Sequence, residues 1–252
     1  MGKIIAVVNQ KGGVGKTTTA VNLTAALVEA GKKVLMCDFD PQANATSGLG
    51  VEKRKVKHSV YDVVVNDVPA ADAIVSTKFG DVLPSSPDLA GAAVELLTME
   101  QPNFRLKNAL EPLRNNYDVI FIDCPPSLEM LTVNALAAAD SILVPVQCEY
   151  FALEGLADLM TTLRRIKNKI NPRLEIFGVL LTMFDGRTNF STQVAQEVRK
   201  HFPGKVFATA IPRNVRLAEA PSHGLPVSAY DRSSRGAQAY NAVTEEIIRR
   251  LI

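Results

Sequence analysis

Several residue types are scarce in this sequence. It has no tryptophan, and among its 252 residues it has only three cysteines and three histidines. Cys37, Cys124 and Cys148 lie in apolar segments without a C-x-x-C pair, so the pattern predicts reduced core thiols rather than a disulfide framework or a metal site. The histidines are scattered through polar segments, which leaves no arrangement typical of covalent nucleophilic catalysis.

Long hydrophobic runs are also missing. The apolar run at the N-terminus stops at Asn9 and Gln10, too early for a signal peptide, and the apolar stretch 135–146 is interrupted by Asp140 and Pro145. We therefore expect a cytoplasmic protein without a membrane partner. The net charge of +2 is too small to indicate a nucleic-acid partner by itself, although the half after residue 126 holds 15 basic against 12 acidic residues.

The apolar segments that are present alternate with helix-like stretches. Runs rich in Val and Ile occur at residues 3–8, 33–37, 117–122, 141–146 and 176–181, and helices are predicted at about 16–31, 153–170 and 234–251. Near-continuous hydrophobic strands are typical of a parallel sheet that is covered on both faces. The pattern predicts a doubly wound, mostly parallel α/β sheet in a single domain, residues 1–252, while residues 51–82 remain without a clear assignment.

The strongest motif is a glycine-rich loop that lies between the first predicted strand and the first predicted helix. Its glycines and neighbours, Gly12, Gly13, Val14 and Gly15, allow backbone N–H groups to converge on phosphate oxygens. Lys16 can then reach the β and γ phosphates, Thr17 can ligate Mg²⁺, and Thr18 continues the helix. The spacing predicts an ATP-binding P-loop that works with Mg²⁺.

The loop departs from the strict Walker A pattern because Gln10 occupies the position of its first glycine and Lys11 follows. The run K-G-G-x-G-K-T-T resembles the deviant Walker A family, which includes ParA and Soj partition ATPases, MinD and nitrogenase iron protein. The resemblance implies that Lys11 reaches the phosphates of a partner subunit in a nucleotide-sandwich homodimer. Such a lysine would neutralise charge on the transferring phosphoryl group from the other chain.

Three carboxylates fit the same chemistry. Asp38 and Asp40 follow the second predicted strand, and Asp123 ends the apolar run 119–122, so all three are expected at the carboxyl edge of the sheet. The family resemblance implies that Asp40 orients the attacking water. It also implies that Asp38 supports the metal region and that Asp123 belongs to a Walker B strand beside Mg²⁺.

The resemblance covers essentially the whole chain, including residues 145–155, 181–189 and 211–222, which look like short Soj-type ParA proteins. It implies that Met183, Pro212 and Arg213 contact the adenine, and that Arg187 and Arg216 contact DNA. The expected function is an Mg²⁺-dependent ATP hydrolase that dimerises on ATP, binds double-stranded DNA without sequence preference, and takes part in chromosome or plasmid partition. The expected activating partner is a ParB/Spo0J-like protein, and the ATP-bound form is expected on the nucleoid.

Three alternatives remain open. A MinD-like membrane-associated positioning ATPase would share the phosphate loop but would need a basic amphipathic tail, whereas residues 244–252 look like the closing helix of the domain. An iron–sulfur reductase would need suitably placed thiolates. A regulator without enzymatic activity would not need the full set of lysines and carboxylates.

Overall fold

The fold is built around one seven-stranded sheet. The computed structural model describes residues 1–127, 129–149 and 152–251; Tyr150 and Phe151, which belong to a segment used for the family resemblance, lie outside them, as do Leu128 and Ile252. The strands are β1 Lys3–Val7, β2 Val34–Asp38, β3 Val75–Thr77, β4 Gly80–Leu83, β5 Val119–Asp123, β6 Ser141–Gln147 and β7 Glu175–Thr182.

The strand order is β3-β4-β2-β5-β1-β6-β7, with β3 antiparallel to β4 and the other pairs parallel. The helices are α1 Lys16–Glu29, α2 Asn44–Gly48, α3 Val60–Val65, α4 Ala70–Ala73, α5 Leu89–Glu95, α6 Arg105–Leu110, α7 Met130–Ala138, α8 Ala152–Lys169, α9 Asn189–His201, α10 Val215–Glu219, α11 Val227–Tyr230 and α12 Arg235–Leu251. This arrangement confirms the predicted doubly wound, mostly parallel α/β fold.

Two apolar cores lie on the two faces of the sheet because successive side chains of a strand point to opposite sides. Ile4 and Ala6 of β1 belong to the core beneath α3 and α5–α9, whereas Ile5 and Val7 belong to the core beneath α1, α11 and α12. All four side chains are fully buried. This two-sided burial explains why the strands are continuous apolar runs rather than alternating patterns.

The segment left unassigned by the sequence, residues 51–82, contains α3, α4, β3 and β4. These elements have between three and six residues each, and β3 is a half-exposed edge strand. Short elements with partial burial carry little periodic signal, so the pattern could not identify them. The three cysteines are free and buried, and within the described ranges no helix is long and apolar enough to cross a membrane.

Candidate nucleotide site

The glycine-rich loop joins β1 to α1 at the carboxyl edge of the sheet. Gly13 and Gly15 have φ values of +74° and +90°, a left-handed conformation that side chains with a Cβ rarely adopt. The carbonyl of Val14 accepts a 2.8 Å hydrogen bond from the Thr182 hydroxyl at the end of β7. This hydrogen bond attaches the loop to the sheet. The first N–H groups of α1, which have no partner within the helix, lie at the end of the loop.

The two predicted lysines occupy different environments. Lys16 is 7% exposed, and its ammonium donates a 3.1 Å hydrogen bond to the carbonyl of Lys11. The Lys11 side chain is 40% exposed, and its Nζ lies 3.1 Å from Oε2 of Glu149. One ammonium thus lies inside the loop and the other on its outer rim.

Glu149 connects the rim to neighbouring elements. Its Oε1 accepts a hydrogen bond from the Gln147 side chain and lies 3.9 Å from the guanidinium of Arg213. A single carboxylate therefore contacts Lys11 of the phosphate loop and Arg213 of a loop predicted to bind the base. The sequence reasoning did not identify Glu149 as a site residue.

The predicted carboxylates converge beside the loop. Asp38 and Asp123 are register partners at the ends of β2 and β5, and both are fully buried. Asp38 accepts hydrogen bonds from the Thr46 amide and hydroxyl, both at 2.7 Å, and from the Asp40 amide at 3.3 Å. Asp40 is 9% exposed and accepts a 3.0 Å bond from the Gln42 amide. Both oxygens of Asp38 are thus engaged by its own chain, whereas among the described residues only one oxygen of Asp40 accepts a hydrogen bond.

Asp123 is the unsatisfied member of the group. Within the described part of the chain, neither of its oxygens has a hydrogen bond of normal geometry, although the nearby Thr17 hydroxyl lowers the pKa of the carboxyl somewhat. Burial raises the pKa of Asp123 well above its usual value, and the charge of Asp38 raises it further. Burial also raises the pKa of Asp38 to about 6, although the three hydrogen bonds that its carboxylate accepts act to lower it. Burial lowers the pKa of Lys16, which is the ammonium facing this group.

These residues fit a bound magnesium ion. A buried carboxylate without a partner costs free energy, and a hydroxyl beside it supplies the second oxygen that a hard cation prefers. Among the described residues, no cluster of three or more Asp, Glu, His or Cys side chains is close enough to hold a metal by itself. Mg²⁺ is commonly bound through one or two carboxylates together with water and phosphate oxygens.

The predicted base contacts line one cavity. Met183, Pro212 and Arg213 border a space of about 360 Å³ together with Gly15 and Thr18 of the phosphate loop and α1. The segment that carries Pro212 and Arg213 is attached beyond the end of β7. The Phe184 amide donates a 2.9 Å hydrogen bond to the Ile211 carbonyl, and Phe184 forms an isolated β-bridge with Pro212. The cavity is continuous with the phosphate loop and is of a size that suits a nucleobase.

The two predicted DNA contacts are surface arginines in different settings. The Arg187 side chain is 89% exposed and makes a bidentate pair with Asp185 at 2.9 and 2.7 Å. Arg216 is 46% exposed, 2.7 Å from Glu219 and 3.3 Å from Asp231. Arg187 lines a groove shared with Arg213 and Arg235, whereas Arg216 does not line that groove.

Known proteins resemble this chain in sequence along its whole length. Residues 2–176 match a family model described as an AAA domain. Over 249 residues the chain is 56% identical to the sporulation initiation inhibitor protein Soj of Bacillus subtilis, with 98% of each chain covered. It is 50% identical over 252 residues to the chromosome partitioning protein ParA of Myxococcus xanthus, and this match covers 99% of this chain and 89% of the ParA chain. This chain belongs to the Soj/ParA family.

Solved structures share the fold of this Soj/ParA family member. Cobyrinic acid a,c-diamide synthase from Mycobacterium smegmatis with bound ATP analog and magnesium has a TM-score of 0.86 at 38% identity and covers 99% of this chain and 95% of that chain. The cell division ATPase MinD of Pyrococcus furiosus has a TM-score of 0.81 at 30% identity, with 99% of each covered. Proteins with different cellular roles therefore share one nucleotide-binding architecture.

Two further residues of this family member join the site without having been predicted. Tyr240 of α12 lines the base cavity, and its hydroxyl lies 3.1 Å from the buried Thr19 hydroxyl of α1. Thr182 anchors the phosphate loop. Neither residue carries a local signal in the sequence, because a tyrosine within an amphipathic helix and a threonine ending a strand both look like core positions.

Proposed function

We propose that this protein is a DNA-partitioning ATPase that forms a homodimer around ATP, binds double-stranded DNA without sequence preference as that dimer, and releases it after hydrolysis. Its membership of the Soj/ParA family supports the role in partition. The chain is an ATP-hydrolysing P-loop enzyme, and ATP and Mg²⁺ are its cofactors. What we propose beyond ATP hydrolysis is that the protein dimerises, binds DNA and has an activating partner protein.

The P-loop would bind the phosphates. Lys16 and the N–H groups of residues 12–18 would cradle the β and γ phosphates, while Met183, Pro212 and Arg213 would contact the adenine. Thr17 and Asp123 would hold Mg²⁺, which when bound neutralises phosphate charge. Asp38 would act indirectly, because its oxygens already bind Thr46 and the Asp40 amide.

Asp40 is the group proposed to orient the attacking water. Its carboxylate is almost buried and lies beside the phosphate-binding lysine, and one of its oxygens accepts no hydrogen bond from the described residues. A carboxylate in this position can orient a water molecule by hydrogen bonding. Lys11, Lys16 and Asp40 together form the proposed catalytic set.

The observation that carries the dimer proposal is the placement of the two lysines. Lys16 points into its own loop, so it can serve only its own nucleotide, whereas Lys11 lies on the outer rim with its ammonium partly exposed. From that rim a lysine can reach a nucleotide held by a second copy. It would stabilise charge in the transition state from the other chain.

DNA binding would follow from dimerisation. Each subunit would contribute Arg187 and Arg216, and two copies clamped together would double the number of phosphate contacts, which multiplies affinity through effective concentration. Family membership supports a ParB/Spo0J-like activator, chromosome or plasmid cargo, and a nucleoid location for the ATP-bound form. The single-domain assignment of residues 1–252 remains a prediction.

The decisive experiment uses Asp40→Ala, which should bind ATP but hydrolyse it about a hundredfold more slowly. With saturating ATP and Mg²⁺ the variant should elute as a dimer in size exclusion with light scattering, and with ADP as a monomer. Adding Lys11→Ala should restore the monomer, whereas adding Lys57→Ala, an exposed lysine elsewhere, should not. A monomer under saturating ATP would refute the sandwich mechanism.

DNA binding is tested separately by gel shift on random-sequence duplex. ATP-bound Asp40→Ala should shift the DNA, and about 0.5 M salt should abolish the shift because phosphate contacts release counterions. Binding of equal strength without nucleotide would contradict control by ATP.

A MinD-like positioning ATPase is the second candidate, supported by the 30% identity to MinD of Pyrococcus furiosus. It predicts ATP-dependent pelleting with liposomes. The DNA-partitioning proposal predicts that the ATP-bound protein stays in the supernatant with liposomes and is retained by DNA.

A further inference from the structure

A second polar cavity lies at the opposite edge of the sheet from the phosphate loop, where β1, β5 and β6 begin. It has a volume of about 950 Å³, compared with about 360 Å³ for the base cavity. This cation-lined cavity is bordered by five basic side chains, Lys3, Lys32, Lys33, Arg114 and Arg173, and by two acidic ones, Asp118 and Asp140. The lining therefore has an excess of positive charge.

Both acidic residues have structural roles. Asp140 accepts a 2.9 Å hydrogen bond from the Ile4 amide and forms an ion pair with Arg114. Asp118 accepts a 2.8 Å hydrogen bond from the Lys33 amide. Arg114 is also engaged by Glu111 at 3.6 Å. The carboxylates thus hold the backbone together and neutralise only Arg114.

The remaining cations have no counter-ion among the residues that the structure describes. Within the described residues, Lys3, Lys32, Lys33 and Arg173 form no salt bridge, and Lys3 only lies over the Phe177 ring. Four cationic side chains from three separate segments therefore line one cavity, and Asp118 is the one lining carboxylate that no salt bridge of the described residues engages.

The floor of the cavity is rigid backbone. The Gly2 amide donates a 3.0 Å bond to the Arg114 carbonyl, and the Asp118 amide donates a 2.8 Å bond to the Lys33 carbonyl. A Cβ at Gly2 would lie 2.1 Å from the Tyr117 carbonyl oxygen, so only glycine permits this close approach. The backbone that carries these basic side chains is therefore held in place by hydrogen bonds.

We propose that this cavity binds a small anion that carries several phosphate groups. The volume falls within the range of small-molecule clefts, and compact cationic clusters with unpaired lysines suit multivalent phosphate. The concave shape favours a small ligand over the long, convex surface of duplex DNA. This site is independent of the phosphate loop and of the proposed partition role.

Inorganic triphosphate is the probe. The protein is first saturated with a non-hydrolysable ATP analogue and excess Mg²⁺, so that the phosphate loop is filled, and triphosphate is titrated calorimetrically at constant ionic strength. The test variant is Lys33→Ala with Arg173→Ala, and the matched control is Arg54→Ala with Lys57→Ala. All four side chains are exposed and no hydrogen bond or ion pair of theirs holds the described fold, so the folding of both variants should be unaffected.

We expect the unmodified protein to bind one triphosphate more tightly than about 1 mM, and the test variant to bind about tenfold more weakly, because two charged contacts are lost. The control should stay within about twofold of the unmodified protein. No binding by the unmodified protein, or equal weakening in both variants, would overturn the proposal. A fall in ATP-dependent DNA retention in the test variant without any triphosphate binding would also overturn it, by assigning the cavity to nucleic acid.

Discussion

The Lys11 ammonium lies 3.1 Å from the Glu149 carboxylate of its own chain, across 138 residues of sequence. The proposed dimer requires Lys11 to leave this carboxylate and reach the nucleotide of a partner. In the proposed mechanism, Glu149 would therefore compete with dimerisation. It also lies 3.9 Å from Arg213 at the base cavity, so the same carboxylate borders both parts of the nucleotide site.

Glu149→Gln should strengthen the ATP-dependent dimer. An exposed ion pair contributes at most about 1 kcal/mol, and each dimer breaks two such pairs, so the dimer dissociation constant should fall by no more than about thirtyfold. Sedimentation in the presence of ATP, comparing Asp40→Ala with the double variant Asp40→Ala Glu149→Gln, measures this dissociation constant. Glu52→Gln, which breaks the exposed Lys55 pair, is the matched control and should have no effect. A weaker dimer would show that Glu149 assists assembly instead.

Arg187→Ala and Arg216→Ala should each weaken DNA binding across all sequences. Each substitution should reduce the slope of log affinity against log salt by about two, because the dimer carries two copies of the arginine and loses two phosphate contacts. The effect should be smaller for Arg216, which is 46% exposed and contacts two carboxylates, Glu219 and Asp231, than for Arg187, which is 89% exposed and contacts Asp185. Fluorescence anisotropy at several salt concentrations measures both slopes. Arg54→Ala is the control, and an unchanged slope for Arg187→Ala would remove that residue from the interface.

Tyr240→Phe should lower the free energy of unfolding by about 1 kcal/mol, because it leaves the buried Thr19 hydroxyl without its partner. Urea denaturation measures the change. The double variant with Thr19→Val should recover part of the loss, since removing both polar partners costs less than removing one. Tyr230→Phe, whose hydroxyl contacts Glu219 at 3.2 Å on the partly exposed side, is the matched control. Equal losses in the two single variants would contradict a special role for the α1–α12 contact.

Glu246 should make stability depend on acid pH. Burial raises its pKa, but hydrogen bonds from the Thr209 hydroxyl and from the amides of Ala208 and Thr209 outweigh this, so the pKa is lowered overall from 4.5. A carboxylate with a lowered pKa in the folded state contributes stability above its unfolded pKa, and this contribution is lost as pH falls through the folded value. Thermal melts from pH 6 to pH 3, about the range of carboxylate titration, should show a shallower acid decline for Glu246→Gln than for the unmodified protein. Parallel declines would exclude this linkage.

Much of the candidate site could be predicted because its signals are local. The glycines and Lys16 occupy consecutive positions between a strand and a helix, and Asp38 and Asp123 each end an apolar run. Strands that end together bring such residues together. The spacing of the glycine-rich loop indicated phosphate binding and a Mg²⁺ ligand, whereas the metal roles of Asp38 and Asp123 came from the family resemblance. The short elements within residues 51–82 escaped prediction because an edge strand of three half-exposed residues has no periodicity to detect.

The amino-acid sequence by itself determined the parallel α/β fold and the phosphate loop, since hydrophobic period, glycine placement and strand-ending carboxylates are properties of neighbouring residues. Only the tertiary structure decided which distant side chains complete the site. The contacts of Lys11 with Glu149, of Thr19 with Tyr240 and the cation-lined cavity join segments more than a hundred residues apart. No local pattern encodes such pairs, because strand order and helix packing, rather than spacing along the chain, set their distances.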